Sequence, residues 1–332
     1  MTIALRPAPS DDSSVDPQEG NERPPLLPVR HPNQDLFICD VLDAIPKDDM
    51  ASMEHPVFSL STKPDNRTRR YEHNDSVIEI IPSGKGLATI HDKDVLIYCI
   101  SQLIAKMNQG EEPNRTVRLQ AYDMLCATNR QTSGAGYRLL GDALTRLRGT
   151  TVRTNIKTGG IEETRIFGLI EEAKITRKTF DGRMLDLEIT LSEWVYRSVI
   201  SKNVLTLHRD YFRLRKPFER RLYELGRKHC GMQDEWRIGL ELLQKKCGSS
   251  SPLRVFRALV KKVCEHDADH GHIPDYAVSM KDDVVLFRKR SGLKALPNAE
   301  AIDDAPHIDP ETMHDAKTAA PGYDCLLYTS DA

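Results

Sequence analysis

The chain has no run of apolar residues approaching the ~18 that a membrane-spanning helix needs. Its first residues, MTIALRPAPSDDSSVD, hold no apolar stretch of the kind a secretory signal requires. The seven cysteines, at positions 39, 99, 126, 230, 247, 264 and 325, stand singly, with no CxxC pair. That argues against a zinc ribbon or a disulfide framework and fits reduced thiols in a cytoplasmic protein. GxxxxGK[ST] occurs nowhere, which argues against a phosphate-loop ATPase or helicase. Ser83-Gly84-Lys85-Gly86 reads instead as a turn between strands. What remains is a 332-residue chain, 39% hydrophobic and 29% charged, able to bury a core under a heavily charged surface. At about 150 residues per domain, that length suggests two domains.

The net charge of -2 conceals a division. Residues 1–35 are net -3 and residues 297–332 are net -7, so residues 36–296 are net +8. Within that middle, residues 202–262 carry 16 basic and 6 acidic side chains. A basic block between acidic ends points to a polyanionic partner, most simply nucleic acid.

Residues 1–34 are rich in Pro, Asp, Ser and Glu and read as a disordered tail. Order is expected from about Leu36. Residues 56–61, 67–71 and 76–81 read as strands. Apolar residues at 96, 99, 100, 103 and 104 have helical spacing, with Gly110 placed to end that helix. A strand at 116–119 and a short helix at 120–127 follow. After the turn at 129–134 comes a helix at about 135–148, then a hairpin of residues 150–156 and 161–169. The order recurs with negligible sequence identity: a helix at 217–229, a strand at 236–238, a helix at 239–246 and a turn at 248–250. A helix then starts at Ser251-Pro252, with Ser251 as N-cap, and runs to about Glu265. Strands at 275–280 and 284–288 close the series. Helix, strand, helix, turn, helix and hairpin is the order of a winged helix. The expected fold is α+β: two tandem winged-helix domains, at 35–200 and 201–292, between a disordered N-terminal tail and an acidic C-terminal tail at 293–332.

The third helix of such a domain buries one face and offers the other to the major groove. In the second domain Leu253, Phe256, Leu259, Val260 and Val263 form the apolar stripe. Arg254, Arg257, Lys261 and Lys262 fall on the other side, and Ser250, Lys245 and Lys246 lie just before it. Arginine suits that face because its planar fork matches the O6 and N7 of guanine. In the first domain Leu139, Leu140, Ala143, Leu144 and Leu147 form the stripe. Arg138, Thr145, Arg146 and Arg148 are the candidate contacts, with Arg138 and Asp142 spaced to pair with each other. Arg153 and Lys157 on the hairpin are placed for phosphate. A third basic group, Arg213, Arg215, Lys216, Arg220, Arg227 and Lys228, is expected to reach phosphates, with some members paired to Glu219 or Glu224.

Two enzymatic readings are weaker. His270-Gly271-His272 with Tyr276 resembles the paired histidines and tyrosine of metal-dependent nickases, but the middle residue is Gly and the tyrosine is too close to form a separate catalytic helix. Cys264, His266, His270 and His272 have spacing that could hold zinc, yet such sets arise by chance in polar loops. No catalytic residue, metal or cofactor is expected.

Four stretches carry a resemblance. They are RHPNQDLFICDVLDAIPKDDMASMEHPVFSLSTKPDNRTRRYEH (30–73), KGLATIHDKDVLIYCISQL (85–103), TNRQTSGAGYRLLGDALTRLRGTTVRTNIKTGG (128–160) and FERRLYELGRKHCGMQDEWRIGLELLQKKCGS (218–249). With them the chain resembles the plasmid replication initiator protein A family of Proteobacteria, itself similar to initiators with two winged helices that bind repeats, or iterons, at a plasmid origin. The resemblance implies origin binding, local melting, recruitment of host initiator and helicase, and a cytoplasmic location. Members of the wider group often interconvert between dimer and monomer, which leaves a homodimer open. The runner-up is a winged-helix transcriptional repressor, including one of its own gene, and the third reading is a metal-dependent origin nickase. The final CLLYTSDA resembles translated sequencing-adapter read-through, so the natural chain is expected to continue.

Overall fold

Where apolar residues recur at helical spacing the chain coils, and where they alternate it pairs into four separate sheets. The computed structural model describes residues 26–31, 39–40, 57–73, 76–158, 161–177, 184–201, 204–231 and 233–290. Two compact units are defined, 1–289 and 290–332, and every described element belongs to the first. The acidic tail at 293–332 and the terminal CLLYTSDA lie outside the described residues.

A two-stranded sheet joins β1 (Cys39–Asp40) to a strand far along the chain, described below. β2 (Arg69–His73) and β3 (Ser76–Ile81) pair antiparallel. The strand expected at 56–61 is absent among the described residues 57–61. Ser59 makes one isolated bridge to Thr89, because Ser, Thr and Pro there interrupt the alternation. α1 (Lys93–Asn108) ends near Gly110, whose φ of +80° only glycine adopts without strain. Its amphipathic pattern understates its burial: Val95, Ile97 and Tyr98 are buried along with Leu96, Cys99, Ile100 and Leu103. A helix apolar on every side must be enclosed. Here Ile97 belongs to the hydrophobic cluster of the second half and the other six to that of the first.

β4 (Thr116–Gln120), α2 (Ala121–Ala127) and α3 (Gly134–Gly149) follow as expected. Then come β5 (Thr151–Thr158) and β6 (Ile161–Gly168), but this hairpin extends β2 and β3 into a four-stranded sheet ordered β2-β3-β5-β6. A second hairpin, β7 (Ile170–Arg177) and β8 (Met184–Leu191), has no counterpart in the sequence reading. It pairs with β4 in the order β4-β8-β7. α4 (Glu193–Ile200) is capped by Ser192, whose hydroxyl accepts from Val195 N–H. β9 (Leu205–Thr206) pairs with β1, and a 3-10 turn covers Arg209–Arg213.

The second half runs α5 (Pro217–Cys230), β10 (Glu235–Gly239), α6 (Leu240–Cys247) and α7 (Leu253–His270), then β11 (Tyr276–Lys281) and β12 (Val284–Lys289). Pro252, not Ser251, is the N-cap of α7, and the helix continues five residues past Glu265 to Gly271, in the left-handed region at φ +56°. Asp282 and Asp283, both at positive φ, make the tight turn between β11 and β12. The sheet order β10-β12-β11 repeats β4-β8-β7. The counterpart of the second hairpin is therefore β7–β8. The β5–β6 hairpin, expected to fill that place, is an insertion between α3 and β7.

Charged groups buried between the clusters join the halves. Asp94 on α1 accepts from Arg220 on α5 at 2.5 Å and from Arg130 at 3.0 Å. Glu224 accepts from Lys93 at 3.1 Å, from the Tyr211 hydroxyl at 2.7 Å and from Arg221 at 3.3 Å. Residues 26–31, expected in the disordered tail, are held instead: Leu26 bridges Leu214, and Arg30 donates from its backbone N–H and its guanidinium to the side-chain and backbone oxygens of Asn129.

Candidate nucleic-acid interface

α3 is set by the turn before it. Asn129 takes a positive φ, Arg130 N–H reaches Leu125 O at 2.7 Å, and the helix start lies on Gln131. A Cβ on Gly136 would sit 1.8 Å from the Gln131 carbonyl oxygen, so only glycine fits. Leu140, Ala143, Leu144 and Leu147 face the core as expected, but Leu139 is 56% exposed. Arg138 and Arg148 are exposed and ion-pair with no other described residue. Arg146 is not available: its guanidinium makes two 2.7 Å bonds to Asp92. Asp142 pairs with Lys85, not Arg138. The Thr145 hydroxyl donates to Gly141 O. Arg153 is exposed beside Glu79 at 3.3 Å, and the Lys157 side chain lies outside what is described.

α7 is set in the same way by Gly248, left-handed at φ +63°. Phe256, Val260 and Val263 are buried, while Leu259, expected in the stripe, is 39% exposed. Arg254, Lys262, Lys245 and Ser250 are exposed, and none ion-pairs with another described residue. Arg257 lays its fork on Asp283 of the β11–β12 turn, with both bonds at 2.7 Å. That pairing holds the Asp283 carboxyl below its usual range. Lys261 lies 3.8 Å from Glu265.

The third basic group is mostly internal. Arg220 is 3% exposed and donates to Asp94, Leu214 O and Phe212 O, so it is no surface contact. Lys246 is also buried; its carbonyl accepts from Arg221. Arg213 donates to Leu27 O and Asp210, Lys216 to Glu219, and Arg227 to Thr206 O. Arg215 and Lys228 are half-buried. Compact folding of a basic segment onto its own carboxylates and carbonyls explains these corrections. The reading also missed Lys174 and Arg177, exposed on β7, because it missed that strand.

The histidine loop closes the fold. The Asp267 carboxylate accepts from Ile273 N–H at 2.8 Å and Val278 N–H at 2.9 Å. His272 is buried between Glu219 and Asp267, at 3.4 and 3.9 Å. Tyr276 is fully buried against Tyr223. Burial pushes the Cys264 thiol up to about 12. Among the described residues no three His, Cys, Asp or Glu side chains converge as a ligand set. Nor, among them, is any helix long and apolar enough to cross a membrane.

Residues 47–278 match the model of the family described as replication initiator protein A. The chain belongs to that family. A protein of Wigglesworthia glossinidia brevipalpis named "Putative replication protein" is 36% identical over 263 residues, covering 77% of this chain and 94% of its own. Domains 2 and 3 of RctB, as a selenomethionine derivative, superpose with a TM-score of 0.53 at 14% identity, over 71% of this chain and 95% of theirs. That likeness is one of mixed α/β fold. A second RctB structure of domains 2-3 gives 0.49 at 13% identity, over 70% and 95%. For an initiator of this family, α3 and α7 become the elements to weigh against DNA.

Proposed function

We propose that this initiator binds double-stranded DNA at repeats in a plasmid origin through two winged helices, helps open the adjacent duplex and brings in host initiator and helicase, all in the cytoplasm and without catalysis of its own. The observation that carries the reading is the repeated series of strand, two helices and hairpin in both halves, each with a basic, solvent-facing third helix. α3 and α7 are the reading helices, and β7–β8 and β11–β12 the wings. Buried Tyr276 and His272 favour a non-enzymatic role, since neither reaches a phosphodiester without unfolding the loop.

The deciding experiment supplies the gene in trans to a plasmid carrying only the candidate origin, in a host where that origin does not otherwise replicate. Replication is expected. Binding and repression without replication would make the chain a repressor. Nicking of supercoiled origin DNA with Mg²⁺ or Mn²⁺ would overturn the non-enzymatic part. A footprint of roughly 20 bp is expected if both helices occupy successive major grooves, ~10.5 bp apart.

A further inference from the structure

The two candidate reading helices share a register that their sequences conceal. Offset by 120 residues, residues 134–140 and 254–260 pass through the same succession of exposed and buried positions. Gly136 and Phe256 face inward together, as do Leu140 and Val260, and Ala143 and Val263. In that register Leu139 falls on Leu259, and both are exposed, at 56% and 39%. One turn earlier, exposed Ala135 falls on exposed Val255. One exposed leucine is ordinary and needs no cause. Two at the same position of duplicated helices without sequence identity do.

We infer that Leu139 and Leu259 read the 5-methyl groups of thymine in the major groove. This rests on the DNA-binding reading above and adds what it lacks, the means of recognising A·T pairs. The T methyl is the one apolar feature that a base pair offers there, and it is read by apolar contact with side-chain groups such as Ala, the Thr methyl and Phe. Neither helix carries an Asn or Gln, the side chains that pair bidentately with adenine. The surrounding charge selects the occupant. Arg138 adjoins Leu139 and Lys262 lies one turn after Leu259, Arg148 and Arg254 stand exposed further along the two helices, and none of the four ion-pairs with another described residue. Asp142, one turn after Leu139, is already paired with Lys85, and the unpaired charge left beside the two leucines is positive, which complements a phosphate-walled groove. A second copy of this chain would bring the same cations against themselves.

The test uses the full chain and duplexes selected by it from a random-sequence library. The selected duplex is resynthesised with deoxyuridine for thymidine, which deletes the methyls and leaves every hydrogen-bonding edge intact. Burying one methyl is worth about fourfold in affinity. The wild type should bind the thymidine duplex about 15-fold more tightly if each helix covers one methyl. Leu259→Ala and Leu139→Ala should each weaken thymidine binding about fourfold and leave deoxyuridine binding unchanged. Arg254→Ala should weaken both equally. Unaltered melting temperatures would show that the variants fold. Equal wild-type affinity for the two duplexes would overturn the inference while leaving DNA binding standing. So would a wild-type dimer that Leu259→Ala turns into a monomer with its thymidine preference intact. If no duplex is enriched at all, the DNA-binding reading falls and takes this inference with it.

Discussion

Replacing Arg220 by Ala should destabilise the folded unit by about 3–5 kcal/mol. Arg220 is 3% exposed, and its guanidinium donates to the Asp94 carboxylate and the carbonyls of Leu214 and Phe212. Truncation removes a charge partner from Asp94, which is itself 2% exposed and keeps only Arg130. It also leaves two carbonyls to find water, and each buried unsatisfied group costs about 1–3 kcal/mol. Asp94→Ala should cost a similar amount, because Arg220 then stays buried without a counter-charge. The pair joins α1 to α5, so its loss should also loosen the two hydrophobic clusters from each other. Urea unfolding followed by tryptophan fluorescence suits the question, since Trp194 packs on the first cluster and Trp236 on the second. The wild type should unfold in one transition and the Arg220→Ala chain in two. The reasoning fails if Arg220→Ala loses less than about 1 kcal/mol, as an exposed pair would. It also fails if the transition stays single with an unchanged midpoint.

On α3, on α7 and just before it, five exposed cations ion-pair with no other described residue: Arg138, Arg148, Lys245, Arg254 and Lys262. These five should contribute up to about -4.5 to the slope of log K against log salt, which should be shallower by about 0.9 in Lys245→Ala and unchanged in Lys246→Ala; filter binding across a salt series reads both. Arg257→Ala should lose about 1–3 kcal/mol on a selected site and much less on random DNA if it leaves Asp283 to meet a guanine, and equal losses on the two would make it a phosphate contact. Burial, then the charges of Arg220 and Arg130, push the His91 imidazole down to about 3. Burial, with Lys246, Lys228 and Arg221 nearby, does the same to His229. Both rings are neutral when folded and take up protons when unfolded, so stability should be full above pH 6.5 and fall as the pH drops toward about 3. Urea midpoints between pH 8 and 4 measure this, and Gln at position 91 should flatten the profile.

The order of elements was legible wherever one face of an element met the core. Ser76–Ile81 and the helices at 121–127 and 134–149 emerge at or within a residue of their expected bounds, because their apolar spacing is undiluted. The β7–β8 hairpin was not legible. β7 reads Ile-Glu-Glu-Ala-Lys-Ile-Thr-Arg, with apolar residues too sparse to mark a strand, and the hairpin joins its sheet through β8, whose pairing to β4 spans over sixty residues of chain. Leu139 and Leu259 were assigned inward because leucine at helical spacing is normally core, and only the packed structure shows the stripe to be narrower. Arg220 failed for a related reason. A basic residue beside other basic residues reads as surface, while its carboxylate partner lies on another helix 126 residues earlier.

That misreading bears on how the molecule meets DNA. The excess of positive charge in residues 202–262 suggests a broad electrostatic grip, yet Arg213, Lys216, Arg220, Arg221 and Arg227 bind acceptors within the fold. Their positive charge holds the molecule together, α5 to α1 and the N-terminal segment to the 3-10 turn. Within 202–262 the exposed cations that ion-pair with no other described residue are Lys245, Arg254 and Lys262, on α7 and just before it. A protein with few phosphate contacts gains little from non-specific attraction, so a larger share of its affinity must come from base edges. The same argument explains why the exposed apolar residues on α3 and α7 matter. With Arg146 held by Asp92 and Arg257 by Asp283, the proposed hydrogen-bonding readout falls to the exposed Arg138, Arg148 and Arg254. On the proposed reading, Leu139 and Leu259 join Arg138 and Arg254 as the exposed side chains on the two helices placed to discriminate one base pair from another.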